Sequence, residues 1–144
     1  MISKATITDT LMIAQMAIEM WTKHSLDELV KEFEEIIEQE ESVIFLFSID
    51  YQVAGFAQCQ IRHDYVEGTN ISPVGYLEGI FVEKEFRHNG YAKELLERCQ
   101  YWAKEKGCAE FASDCELDNK ESLAFHLNME FEEVNRIICF TKRL

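Results

Sequence analysis

The sequence predicts a mixed α/β domain with helices packed on both faces of its sheet. Two observations carry this. Apolar residues recur at helical spacing in the first forty positions and again after residue 90, with apolar runs of strand length between them. The elements follow one another as helix, helix, strands, then strand–helix–strand, helix, strand. The 144 residues suffice for one core and are too few for two ordinary domains. Apolar residues make up 47% of the chain, which places it among folding sequences.

Thr8 or Asp9 can cap a first helix running to about Trp21, with Leu11, Ile13, Ala14, Ala17 and Ile18 on its apolar side. "SLDE" at Ser25–Glu28 is a capping box for a second helix. Its apolar stripe is Leu26, Leu29, Val30, Phe33, Ile36 and Ile37. "SVIFLFSI" at Ser42–Ile49 and "VAGFAQCQIR" read as two strands joined by a turn at Asp50–Tyr51. "HDYVEGTNISP" is a polar loop, and "VGYLEGIFV" at Val74–Val82 is the next strand. Tyr91, Ala92, Leu95, Leu96, Cys99, Trp102 and Ala103 mark a long helix that Gly107 is placed to end. A short strand ends at Asp114, a short helix is capped near Asp118 or Asn119, and "FEEVNRIICFTKR" predicts one or two closing strands. The central strand–helix–strand unit is expected to be parallel and right-handed.

Net charge is −13, which argues against nucleic acid and anionic membrane as partners, since both call for a basic face. No apolar run reaches membrane-spanning length, and "MISKATITDT" lacks the layout of a secretion signal. A soluble, cytoplasmic protein is the resulting expectation. Cys59, Cys99, Cys108, Cys115 and Cys139 show no Cys-x-x-Cys pair, so reduced core thiols are expected and no metal site is.

The most informative stretch is "VEKEFRHNGYAKELLERC", which joins a strand to an amphipathic helix through Arg87 and Gly90. A helix N-terminus carries unpaired N–H groups and about half a positive charge, so it is a ready anion site. Gly90 removes a side chain where a ligand must approach, Ala92 keeps the first turn small, and Arg87 and Lys93 add positive charge. These features suit a pyrophosphate. The pattern R-x-x-G-x-A is also compatible with an ordinary loop-to-helix junction; its position after a strand and before a helix favours the ligand.

"RHNGYA" resembles the acetyl-CoA pyrophosphate loop of the GCN5-related N-acetyltransferases (GNAT), and the element order resembles that fold. The resemblance implies a single acetyltransferase domain over residues 1–144 with a mixed, mostly antiparallel sheet. It implies that Ile80, Phe81 and Val82 bind the pantetheine arm of acetyl-CoA through their backbone. It implies that Arg87, His88, Asn89, Gly90, Tyr91, Ala92 and Lys93 surround the pyrophosphate, and that Asn119 contacts the cofactor. "SPVGYLEGIFV", "ASD", "LDN" and the His126 segment are similar to the short bacterial aminoglycoside 6′-N-acetyltransferases. That likeness implies antibiotic resistance, a cationic aminoglycoside as substrate and a homodimer.

Glu78 lies inside an apolar strand, where a carboxylate must be paired or is costly, and period two places it on the face of Tyr76, Ile80 and Val82. It is either satisfied by a basic neighbour or it is the proton acceptor at the transfer point. Asp114 ends the neighbouring strand, at the end that faces the ligand crevice in open α/β sheets. The resemblance gathers Trp21, His24, Tyr65, Glu78 and Asp114 into the acceptor site, and makes His126 a candidate acid for the leaving thiolate. It also marks two departures. Glu130 stands where the family has glycine, and Asn135 stands where close relatives have a substrate-binding glutamate.

Overall fold

A computed structural model describes all residues, Met1–Leu144. Five strands form one sheet in the order β1-β2-β3-β4-β5: β1 Ile2–Lys4, β2 Ser42–Ile49, β3 Gln52–Arg62, β4 Val74–Val82 and β5 Phe111–Ser113. All neighbours are antiparallel except β4 and β5, which are parallel. The helices are α1 Thr10–Ala17, α2 Leu26–Glu38, α3 Tyr91–Glu105 and α4 Lys120–Asn128. The predicted strands Ser42–Ile49 and Val74–Val82 are observed with those bounds, and the long helix starts at Tyr91.

The apolar stripes explain the layers. Ile13, Ala14 and Ala17 of α1 and Leu29 and Phe33 of α2 are buried with Ile44, Leu46, Phe56 and Phe81 on one face of the sheet. Leu95, Leu96, Cys99, Trp102 and Ala103 of α3 are buried with Val43, Phe45, Ala57, Cys59 and Leu77 on the other. Helices therefore cover both faces, as expected. Ser25 caps α2 through the reciprocal bonds with Glu28 that the sequence predicts. Asp50 and Tyr51 both take positive φ, 47° and 67°, in the tight turn between β2 and β3. Gly107 follows α3 at φ 90° and ends it.

Three expectations need correction, and one strand was not foreseen. Helix α1 stops at Ala17, and single turns carry the chain through Met20 to Trp21. Strand β1 pairs with Phe45–Phe47 of β2 although three residues are too few to show a period in sequence. The closing strands are absent: no residue from Glu132 to Leu144 lies in a strand or joins a backbone–backbone hydrogen bond. Nothing in the chain lies alongside that segment as a ladder partner, and Val134, Ile137, Ile138 and Phe140 remain exposed. Of the five cysteines, Cys59, Cys99 and Cys108 are buried, Cys115 is half-buried and Cys139 is exposed.

Candidate active site

Strand β5 accompanies β4 only from Gly75 to Leu77, where Ser113 ends the ladder. Beyond Leu77 the β4 edge has no neighbour on that side, while β3 continues to pair it as far as Val82. Ile80, Phe81 and Val82 therefore stand at a parting between two parallel strands. The parting opens toward the β4–α3 loop.

That loop is built to hold an anion. His88 and Gly90 adopt left-handed backbone, φ 64° and 83°, with Asn89 between them; such interleaving makes a concavity of N–H groups. None of the backbone N–H groups from His88 to Lys93 donates to a protein acceptor, and the first bond of α3 runs from Glu94 N–H to the Gly90 carbonyl at 3.1 Å. No side chain caps Gly90, and a Cβ placed there would meet nothing within 4 Å, so the tip is open. Asn89 donates to the Phe86 and Arg87 carbonyls at 3.1 Å, which fixes the loop. Arg87 is partly turned away: its Nε donates to the Val82 carbonyl at 2.7 Å, tying the loop to the end of β4. Lys93 is exposed near Glu97. Asn119 caps α4 by accepting from Ser122 N–H at 3.0 Å, which engages its side-chain oxygen.

The predicted acceptor residues fall into two groups. The first surrounds Glu78. The β3–β4 ladder shifts register here, pairing Gln58 with Gly79 but Cys59 with Leu77, so Glu78 is the extra residue of a bulge. The bulge overturns the period-two expectation. Ile80 and Val82 pack on the α3 side with Leu77, whereas Glu78 stays on the Tyr76 side with Arg62. Arg62 Nε and Nη2 donate to Glu78 Oε1 at 3.1 and 2.7 Å. The same guanidinium lies over the Tyr76 ring, 3.5 Å from its centre. Tyr76 in turn donates its hydroxyl proton to Asp114 Oδ2 in a short bond. Burial pushes the Glu78 carboxyl above the usual range, Arg62 opposes this, and the Asp114 charge adds to it. Burial and the bond to Asp114 push the Tyr76 phenol up strongly, so Tyr76 stays protonated as the donor.

Trp21 borders this group. A Cβ on Gly79 would come within 2.9 Å of the indole, so the missing side chain lets Trp21 lie against β4. Trp21 stacks on Phe33, and Phe33 meets Phe56, which leads to Phe81. The indole is thus held by the core. The second group lies on the loop after β3. Tyr65 and Asn135 both donate to Glu67, at 3.3 and 2.9 Å, and Val66 anchors this loop against Tyr76. His24 stands at the turn before α2, exposed and 3.9 Å from Glu28, with no side-chain hydrogen bond to either group.

His126 sits between two oxygens, its Nδ1 at 2.6 Å from the Ser122 carbonyl and its Nε2 at 2.8 Å from Ser113 Oγ. Ser113 also bonds the Leu77 carbonyl at 3.2 Å, where β4 and β5 part. Glu130 takes φ 66°, so this chain keeps the left-handed turn that a glycine would favour. Sequence reasoning missed Arg62, Tyr76, Glu67 and Ser113. Only Arg62 left a trace: a strand-end arginine is the basic partner that a mid-strand glutamate requires.

A mixed α/β sheet whose parallel strands part beside an uncapped helix N-terminus belongs to the class of α/β domains able to seat an anionic ligand at that end. Comparison with known proteins gives the particular family. The model of the acetyltransferase (GNAT) family matches residues 10–131. An aminoglycoside N(6′)-acetyltransferase type 1 of Salmonella typhimurium is 42% identical over 125 residues, 87% of this chain and 86% of that protein. The apo crystal structure of the aminoglycoside 6′-N-acetyltransferase AAC(6′)-Ig from Acinetobacter haemolyticus superposes with a TM-score of 0.96 at 32% identity, covering 100% of this chain and 99% of that one. The AAC(6′)-Iy complex with the bisubstrate analogue CoA-S-monomethyl-acetylneamine gives 0.94 at 38%, covering 100% and 98%. The chain belongs to the GNAT acetyltransferase family.

Proposed function

We propose that this protein transfers acetyl from acetyl-CoA to the 6′-amine of aminoglycosides. The observation that carries the reading is the juxtaposition of the open α3 tip and β4 edge with the Trp21–Glu78–Asp114 wall on one end of the sheet. Free N–H groups from His88 to Lys93 would hold the pyrophosphate of the donor, and the backbone of Ile80, Phe81 and Val82 would hold its arm. When bound there, acetyl-CoA supplies an activated thioester.

The chain's own residues then supply the rest. An amino sugar presents ammonium groups, which are not nucleophiles until deprotonated. Glu78 accepts that proton, directly or through water, on Oε2, because both Arg62 bonds go to Oε1. Asp114 keeps Oδ1 to orient the amine, because Tyr76 holds Oδ2. A backbone N–H near Val82 polarises the carbonyl. The N–C bond forms as the C–S bond breaks, and one proton is released in the balance: ammonium and thioester give amide, thiol and H⁺. His126 returns a proton to sulfur through Ser113, the hydroxyl nearest the parting. Trp21 offers a ring face to a sugar ammonium, with His24, Tyr65 and Asn135 at the rim.

The reading includes a homodimer and a cytoplasmic setting. Support for the dimer is the unpaired segment Glu132–Leu144 together with the short edge strand β5. A second copy would give both a partner. Release of CoA thiol on mixing purified protein and acetyl-CoA with kanamycin or with spermidine tests the substrate class. Fast release with kanamycin and little with spermidine is the expected result; the reverse contradicts the reading.

A further inference from the structure

We propose that Arg62 is a positioning residue that couples the two acceptor-site carboxylates, holding one oxygen of Glu78 and the Tyr76 ring that carries Asp114. The proposal rests on Glu78 being the proton acceptor. Arg62 is the last residue of β3 and reaches across the ladder to Glu78. Two donors on a single carboxylate oxygen fix the plane of that carboxylate and leave the other oxygen free. Stacking of the same guanidinium on Tyr76 at 3.5 Å fixes the phenol whose hydroxyl binds Asp114. Arg62 and Tyr76 therefore set the spacing of two free carboxylate oxygens, Glu78 Oε2 and Asp114 Oδ1.

The bulge at Glu78 frames this arrangement. It leaves the carboxylate on the Arg62 side of the sheet while Ile80 and Val82 pack on the α3 face. A lone carboxylate beside Asp114 would be pressed toward its neutral form by burial and by like charge. Arg62 opposes both effects and keeps Glu78 able to take a proton. The titratable and charged groups facing Glu78 are Arg62 and Cys59 on β3, Tyr76 on its own strand and Asp114 after β5. Only Arg62 among them is positive.

The sign follows. Removing Arg62 raises the Glu78 pKa, so activity is lost at a higher pH as the solution is acidified. The experiment measures kcat/KM for kanamycin against pH in R62Q, R62K, E78Q and the R62Q/E78Q pair. R62Q is expected to lose about tenfold or more at neutral pH and to move the acidic limb up by about one pH unit. R62K should recover part of both, and CoA affinity should stay at the wild-type value. On the E78Q background, R62Q should add a smaller loss than it causes in the wild type, because only the Tyr76–Asp114 arm is left for it to act through. An R62Q enzyme with an unmoved acidic limb, or with the same loss on both backgrounds, overturns the proposal while a disabled E78Q leaves the base intact as a reading. An E78Q enzyme with full activity overturns that reading and the proposal together.

Discussion

Gly90 is the residue on which the proposed donor site turns. Its φ of 83° lies where side chains are strained, yet a Cβ would touch no protein atom. The backbone angle, and not internal packing, calls for glycine here. Gly90→Ala should therefore cost about 1 kcal/mol of stability from backbone strain alone. It should raise the KM for acetyl-CoA well beyond any change in kcat, measured by steady-state kinetics at saturating aminoglycoside. Equal KM values would detach the helix tip from the donor. The strand, the bare loop and the amphipathic helix around this glycine were legible in sequence because they follow in order. Arg62 was not, since its partner is sixteen positions away across a ladder, and sequence gives no register. The side taken by Ile80 and Val82 was misread for a related reason. One extra residue inverts a strand's two faces, and nothing in "VGYLEGIFV" announces it.

Most elements with their own periodicity or caps were read with correct bounds, α1 excepted, whose apolar pattern runs on to Trp21 past the helix end at Ala17. Helix α2 is the clearest, with a capping box at its start and an apolar stripe along it. Its cap also matters to the site, because Trp21 and His24 lie just before it and the His24 N–H bonds the Trp21 carbonyl at 3.1 Å. Ser25→Ala should lower stability by about 1 kcal/mol, seen as a shifted urea midpoint. It should also weaken aminoglycoside binding, seen by calorimetry, while leaving CoA affinity alone. Strand β1 was missed because three residues owe their conformation to β2 and not to themselves. The predicted closing strands fail for the opposite reason. "RIICF" has strand character, but a strand needs a neighbour, and this chain offers none to it.

At the scale of the whole molecule, the unpaired apolar segment bears on the proposed dimer and the acidic charge on the proposed substrate. No helix is long and apolar enough to cross a membrane. If a second copy covers Val134, Ile137, Ile138 and Phe140, the protein sediments as a dimer, and replacing Ile138 and Phe140 by serine shifts it to monomer. A monomeric wild type over micromolar concentrations would remove the dimer from the account. A charge of −13 favours the approach of polycations, which suits the proposed amino-sugar acceptor. The central claim is that an amino-sugar nitrogen held there receives the acetyl group. It is tested most directly by mass spectrometry on two aminoglycosides that differ only in bearing an amine or a hydroxyl at C6′. One added acetyl on the amine drug and none on the hydroxyl drug is the predicted result. Equal acetylation of both, or of neither, would contradict it.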